Sequence, residues 1–518
     1  MHVAAGNILY IFWGDAVAKR SSILGGALLL TAVNLLLRLI SIGFNVFLTG
    51  RIGAAGLGLL QLIYTVGMFA MLAGTGGIRV ASMCLAAEEF GHRRPGGVRL
   101  AMGACLRWGL LVSGAAGLAL FFLAAPVAAA FLRDARAVPA LRVMGLFLPF
   151  SCLCGIMSGY FTACSRIRQM VGVEIAERLL SVLVTAGLLI YWAKSDLSRA
   201  CCAIILGSSL GCVFDFFLLY LLYRRQMRAV SPSGSRTAMR RRLRKLCVPL
   251  ALNDVLRAGL TTAEQLLIPF GLARYGGAEQ AMAAYGTIHA MVFPILMFPA
   301  AVLYAVADLL VPELSRCRAA GRGLRIVDLT DKCLRMTALF AAAVAGFLFL
   351  NADALGRAIY GSSDAGYYLR CFSPAVLMLY LDAITDGMLK GLAQQIPCVR
   401  YNTVTSLLDV VLLFVLLPRW GIGGYLFSFA VTHAINLFLS LRRLLLTSGH
   451  QPRAVDFLRP LLCLGCAVFP AAPLDGPAAR SVVFFLLLSG SYLLTDALSP
   501  CDRRWLRRAA FDRSGKVG

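Results

Sequence analysis

Charge is what this chain has little of. Only 14% of its 518 residues are Asp, Glu, Lys or Arg, and acidic residues are half as numerous as basic ones, 25 against 50. Ordinary soluble domains carry about 25% charged residues, so a water-solvated globular surface is excluded. Histidine is scarcer still, at five, and no His or Cys cluster has metal-ligand spacing, so no metal or other cofactor is expected. Long polar segments are missing too. The longest connection on the expected outer side, 352–369, holds about 18 residues, too few for a catalytic domain outside the membrane. The first 20 residues lack a basic stretch ahead of an apolar core, and no signal peptide is expected.

What is abundant is apolar surface: 59% hydrophobic residues and a mean hydropathy of +0.78. The 16 cysteines lie almost entirely in apolar runs, where Cys acts as a small hydrophobe; Cys463 and Cys466 form a CxxC inside one such run. Fourteen membrane spans are predicted: 22–48, 57–82, 100–125, 139–163, 171–193, 200–223, 247–272, 282–311, 333–352, 370–391, 402–418, 421–441, 457–473 and 480–499. Lys and Arg are roughly three times as frequent on one set of alternate connections as on the other. That bias places both termini in the cytoplasm of a multi-pass protein in the plasma membrane. The net charge of +25 is thereby absorbed by topology, and no nucleic-acid partner is expected.

The expected organisation is an N-terminal cytoplasmic or interfacial segment (1–21), a six-helix bundle (22–223), a basic cytoplasmic linker (224–246), a second six-helix bundle (247–446), two additional spans (447–499) and a basic cytoplasmic tail (500–518). The fold class is an all-α polytopic membrane protein in which two pseudo-symmetric bundles are followed by two extra helices. The linker carries nine Lys or Arg with Ser, Pro and Gly, and reads as a topology anchor touching anionic lipid.

The bundles are paired by a polar stripe. Asn253, Arg257 and Glu264 fall on one face of the seventh span, with Asp254 at its edge. Asn34, Arg38 and Asn45 recur at the same spacing in the first span. A charged residue at mid-bilayer costs at least about 2.5 kcal/mol, so such a stripe faces a wet cavity or a partner. Either a cavity-lining ligand or an interhelical pair satisfies Arg38 and Arg257. Other cations inside spans include Arg79 and Arg107, which can snorkel, Arg178, which can pair with Glu174 one turn earlier, and Lys390. Asp382, Asp386 and Lys390 share a face of the tenth span; Asp386 can pair with Lys390, while Asp382 needs a cation from elsewhere or a proton. His289 and His433 read as hydrogen-bonded to neighbouring helices. Gly74, Gly76 and Gly77 should loosen span two, and Pro294 and Pro299 should kink span eight.

Six segments carry a family likeness: GRIGAAGLGLLQLIYTV (50–66), GTGGIRVASMCLAAE (74–88), AEQLLIPFGLARYGG (263–277), AYGTIHAMVFPILMFPAAV (284–302), YLDAITDGMLKGLAQQ (380–395) and LLPRWGIGGYLF (416–427). They resemble, in chain order, the polysaccharide-flippase branch of the multidrug/oligosaccharidyl-lipid/polysaccharide (MOP) exporter superfamily, especially its stage V sporulation protein B group, with lipid II flippases more distant. The resemblance runs from about 22 to 446 and is weaker beyond. It implies two six-helix bundles around a cationic cavity and two further helices forming a lipid groove. It also implies alternating access that carries a polyprenyl-pyrophosphate-linked oligosaccharide to the outer leaflet, in spore cortex or cell-wall synthesis. Arg38 lies where the family places a headgroup-binding basic residue. Phe44 and Asn45 replace a second basic residue, Phe270 an Arg, and Arg79 a Pro.

The expected function is therefore a lipid-linked oligosaccharide flippase and not an enzyme, with the substrate and membrane lipids as partners. Candidate cavity residues are Arg38, Arg257, Asn34, Asn253, Asn45 and Glu264; candidate coupling or structural pairs are Asp382, Asp386, Lys390, Glu174 and Arg178. A cation-coupled multidrug exporter of the same superfamily would want an acidic cavity. A membrane polymerase or glycosyltransferase would want catalytic carboxylates on a large outer loop.

Overall fold

The computed structural model describes residues 20–164, 166–193, 196–450 and 454–495, with side chains from 35 onward except at 167, 168, 253, 308, 309, 312, 319 and 454–457. Among these residues every regular element is a helix. A bilayer imposes that choice, because an apolar segment must satisfy all its backbone N–H and C=O groups internally.

By packing, the chain divides into two units. The first takes the described residues up to Ala290 together with Val410–Gly421; the second takes Met291–Asp409 and the described residues from Ile422 onward. Elements of the first unit are α1 (Arg20–Thr75), α2 (Ile78–Gly91), α3 (Pro95–Val127), α4 (Val138–Ala163), α5 (Ile167–Leu188), α6 (Leu197–Gln226), α7 (Arg236–Gly276) and α8 (Ala278–Gly286). The second unit holds α9 (Ala300–Ala319), α10 (Gly323–Tyr360), α11 (Ser363–Phe372), α12 (Val376–Gly391), most of α13 (Gln395–Trp420), α14 (Ile422–Ser448), α15 (Ala454–Ala471) and α16 (Pro477–Leu494). The helix that follows the basic linker, α7, thus packs with the first half of the chain, against α1 and α8.

Ten helices among the described residues are long and apolar enough to cross a membrane, and Leu458–Ala471 is a shorter apolar one. The difference from fourteen has identifiable causes. The first two predicted spans join through Gly53, whose φ of 67° breaks the helical backbone within α1. In α5, Glu174, Glu177 and Arg178 interrupt the apolar run, and in α7 the polar stripe does the same. The membrane reading itself is supported by exposure: Leu111, Phe122, Leu183 and Phe469 are 72%, 74%, 70% and 82% exposed, on surfaces that only lipid tolerates.

Contacts between connections check the threading. In the first unit, Gln226 Nε2 donates to Gln169 Oε1 (3.2 Å) and Arg242 pairs with Glu88 and Glu89, all on the expected inner side. Ser198 Oγ donates to Arg136 O (2.9 Å) and Arg133 stacks on Phe270, all on the expected outer side. In the second unit, Arg318 Nη1 donates to Leu392 O (2.8 Å) and His450 approaches Asp331, on the inner set. There Arg370 pairs with Asp353 and Arg480 donates to Leu350 O, on the outer set. Each contact joins residues in, or at the span ends beside, connections of one set.

Each unit has an apolar core. In the first, Leu85, Val98, Met102, Ile156 and Tyr160 are buried together. In the second, Leu314, Leu334, Ile384, Met388 and Leu444 form one cluster. A separate cluster of Leu339, Leu350, Phe484 and Leu488 docks α15 and α16 on α10, where Tyr492 Oη donates to Leu339 O at 2.9 Å.

Candidate functional site

The predicted loosening of span two is a true break. α1 stops at Thr75 and α2 starts at Ile78, with Gly77 between them at φ 69°, a left-handed conformation that costs most residues strain. α7 lies against this break so closely that a Cβ on Gly77 would sit 2.5 Å from Leu250 Cβ. Asp254 of α7 exploits the gap. Its Oδ2 accepts from Gly77 N–H at 3.0 Å, placing a carboxylate at the N-terminus of α2, where the helix dipole favours negative charge. Further along the same antiparallel contact, Thr65 Oγ1 donates to Gln265 Oε1.

The kink of span eight is also present. Thr287–Val292 is a π turn, followed by a short helix, Phe293–Met297, and α9. Pro294 has no N–H to offer Ala290, four residues before it, and the backbone widens there. Asn45 Nδ2 of α1 donates to Ala290 O at 3.1 Å. Asn45 therefore serves the backbone of a kinked helix.

The remaining stripe residues are placed as follows. Arg38 is half-buried and Arg257 exposed, one helical turn past Asp254; Glu264 is half-buried. The backbones of Asn34 and Asn253 are helical, and their side chains lie outside the described residues. Arg79, two residues past the break, is exposed, and exposed Arg107 donates from Nε to Gly103 O of its own helix at 2.9 Å. Glu174 and Arg178 are both exposed on α5, and among the described residues no ion pair joins them.

The second unit concentrates polar groups differently. Asp382 on α12 is half-buried and meets an amide: Asn436 Nδ2 of α14 donates to Oδ1 at 3.1 Å and Oδ2 at 3.0 Å. Thr405 of α13 donates to Asn436 Oδ1 at 3.5 Å. One turn along α13, Asp409 is 5% exposed and accepts from Ser428 Oγ (2.6 Å) and Thr432 Oγ1 (3.2 Å) of α14. His433 Nδ1 lies 2.9 Å from Phe429 O, with the two rings stacked at 4.0 Å, while His289 stacks on Tyr285 at 4.5 Å. Asp386 is half-buried, and Lys390 is exposed in the last turn of α12, where a cation suits the helix terminus. Cys463 is buried and its CxxC partner Cys466 exposed.

Asp409 and its partners escaped sequence reasoning. Their signal is Thr405 and Asp409 on one helix and Ser428, Thr432 and Asn436 on the next, each at a spacing of four.

Comparison with known proteins follows from this geometry. Residues 105–366 match the family model described as "Polysaccharide biosynthesis protein". Stage V sporulation protein B of Bacillus subtilis (strain 168) is 22% identical over 421 residues, covering 78% of this chain and 79% of that protein. Among solved structures, the lipid II flippase MurJ in an inward closed conformation superposes with a TM-score of 0.72 at 14% identity, covering 93% of this chain and all of that one. An inward-facing multidrug resistance MATE family transporter of the MOP superfamily gives 0.60 at 14% identity, covering 81% and 96%. At such identities the two superpositions establish a shared fold.

Proposed function

The chain belongs to the polysaccharide biosynthesis protein family, and we propose that it is a flippase carrying a polyprenyl-pyrophosphate-linked oligosaccharide from the inner to the outer leaflet. The family and the similar folds are those of transporters and flippases rather than enzymes. The observation that carries the reading is the exposed Arg257 on the stripe of α7, matched in spacing by Arg38 of α1. An exposed guanidinium on a membrane helix suits a ligand that brings phosphate oxygens to it. The sugar and pyrophosphate cannot cross about 30 Å of hydrocarbon unaided, whereas the polyprenyl tail can stay in lipid. An inside-negative potential of 100 mV would favour outward movement of two negative charges by about 4.6 kcal/mol. In this reading 22–223 and 247–446 are two repeats joined by the linker, both termini are cytoplasmic, and the envelope polymer served is peptidoglycan, spore cortex or a related polysaccharide.

The half-buried carboxylate of Asp382 supports a second role, in coupling. An amide partner leaves its negative charge unneutralised, so proton uptake during the cycle would relieve it. A multidrug exporter of the same fold is the rival reading. Competition binding separates the two: purified protein should bind a lipid-linked oligosaccharide, and Arg257→Ala should weaken that binding. Saturable binding of lipophilic cations with none of the lipid-linked sugar would refute the proposal.

A further inference from the structure

The linker 224–246 is built onto the first unit. Met227, Val230, Met239 and Leu243 are buried in the same core as Leu85, Val98 and Met102. Between those anchors the chain crosses the start of α3. Ser233 N–H donates to Gly96 O at 3.1 Å, and any Cβ on Gly96 would strike Ser233 Oγ and Ser231 O. Arg99 Nη1 donates to Val230 O from the same helix. Ser235 then caps α7, its Oγ accepting from Ala238 N–H at 3.4 Å.

Arg242 completes the docking and sets the charge. Its Nη2 lies 2.5 Å from Glu88 Oε2 and its Nη1 3.0 Å from Glu89 Oε1. Glu88 and Glu89 are the only acidic residues in 83–99 and 224–246, so this one arginine occupies both. With Met239, Leu243 and Cys247 turned inward at intervals of four, Arg240, Arg241, Arg244 and Lys245 are turned outward and exposed. No acid in either segment remains to neutralise them. α7 has 41 residues, about 62 Å at 1.5 Å per residue, twice the roughly 30 Å of a bilayer's hydrocarbon. Its basic first turns, continuous with a segment inside the membrane, therefore stand at headgroup level.

We propose that the outward face of Arg240, Arg241, Arg244 and Lys245 is a binding site for the anionic phospholipid headgroups of the leaflet from which α7 emerges. The docked strap holds these cations at a fixed height, so the site selects lipids by charge whatever substrate the protein moves. A bilayer surface is favoured over RNA or an acidic protein because the helix itself carries the face to the headgroups.

The test uses full-length protein in nanodiscs of mixed phosphatidylcholine and phosphatidylglycerol, with spin-labelled versions of each lipid followed by electron paramagnetic resonance. The parent should prefer phosphatidylglycerol roughly threefold or more, and the preference should fall as salt shortens the Debye length. Replacing all four residues by Gln should at least halve it. Replacing the three arginines by Lys should keep it, and so should Arg274→Gln at the other end of α7. A parent without preference, a preference insensitive to salt, or a folded Gln variant that retains it in full would overturn the proposal. Salt-sensitive capture of an RNA oligonucleotide by parent nanodiscs without lipid preference would also overturn it. If the Gln variant does not fold, the salt titration of the parent decides.

Discussion

In the first unit, Arg79, Arg107, Arg178 and Arg257 sit in apolar helices with their side chains exposed. In the second, Asp382, Asp409, Asn436, Ser428 and Thr432 are buried or half-buried and hydrogen-bonded among α12, α13 and α14. These are different solutions to the same cost. An ionised group at mid-bilayer is unfavourable by at least about 2.5 kcal/mol, and it persists where water, a ligand or a partner compensates it. The second unit hydrogen-bonds its carboxylates internally, with neutral amide and hydroxyl donors. In the first, Arg107 bonds its own helix and the Arg257 side chain is exposed. Polar residues of the second unit therefore set the packing of three helices, while in the first the exposed Arg257 is the group proposed to meet a ligand.

The sharpest way to break this comparison is the membrane sidedness it assumes. With native Cys371 removed, an impermeant thiol reagent on intact cells should label Ser363→Cys fully and Ser233→Cys not at all; both positions are exposed. Labelling at 233 would invert the topology.

Next in size is the effect of Arg257→Ala. Losing one charge-assisted contact to phosphate, about 1.5–3 kcal/mol, should slow transport roughly 10- to 100-fold. The melting temperature should not change, because the side chain is exposed. Arg38→Ala should slow transport comparably. Conversely, Asp409→Ala should act on stability, because it leaves Ser428 and Thr432 without their acceptor. A loss of about 2–3 kcal/mol in unfolding free energy is expected. A transport defect at unchanged stability would erase the contrast between the units.

Gly77→Ala tests the helix break. The left-handed φ and the contact with Leu250 should together cost about 1–3 kcal/mol, read as a lower melting temperature. Asp254→Ala should cost less, about 1 kcal/mol, by removing the cap on α2. The smallest effect concerns Asp134 on an outer connection. Burial pushes its carboxyl up, but hydrogen bonds from the Arg136 side chain and backbone outweigh this and hold it below the usual range. A depressed folded-state value stabilises above the unfolded pKa, and that stabilisation is lost as pH falls through the folded value. Asp134→Asn should thus flatten a shallow loss of melting temperature below about pH 4, by lowering the melting temperature slightly at pH 7, where the ionised carboxyl stabilises the fold.

Much of this was legible in the residues. Hydrophobic runs of about 20 residues report spans directly, and the glycines at 74–77 and the prolines at 294 and 299 marked the places where helices break. The stripe of α7 was visible by spacing, but not the division of labour within it. Asp254 finds a backbone N–H 177 residues away, and Asn45 a carbonyl 245 residues away. Such partners depend on which helices meet. Likewise Asp382 looked isolated in its own helix, because its partner Asn436 lies two helices later. The linker's composition announced charge and concealed its anchors, since Met227, Val230, Met239 and Leu243 are too widely spaced to read as an apolar run.

The most direct test is transbilayer movement in proteoliposomes loaded with a fluorescent polyprenyl-pyrophosphate-linked oligosaccharide, under an imposed potential. The parent should move the lipid towards the positive side, faster as the potential grows, while Arg257→Ala moves it at least tenfold more slowly. Equal rates for parent and variant, or movement of lipophilic cations with none of the lipid-linked sugar, would contradict the account.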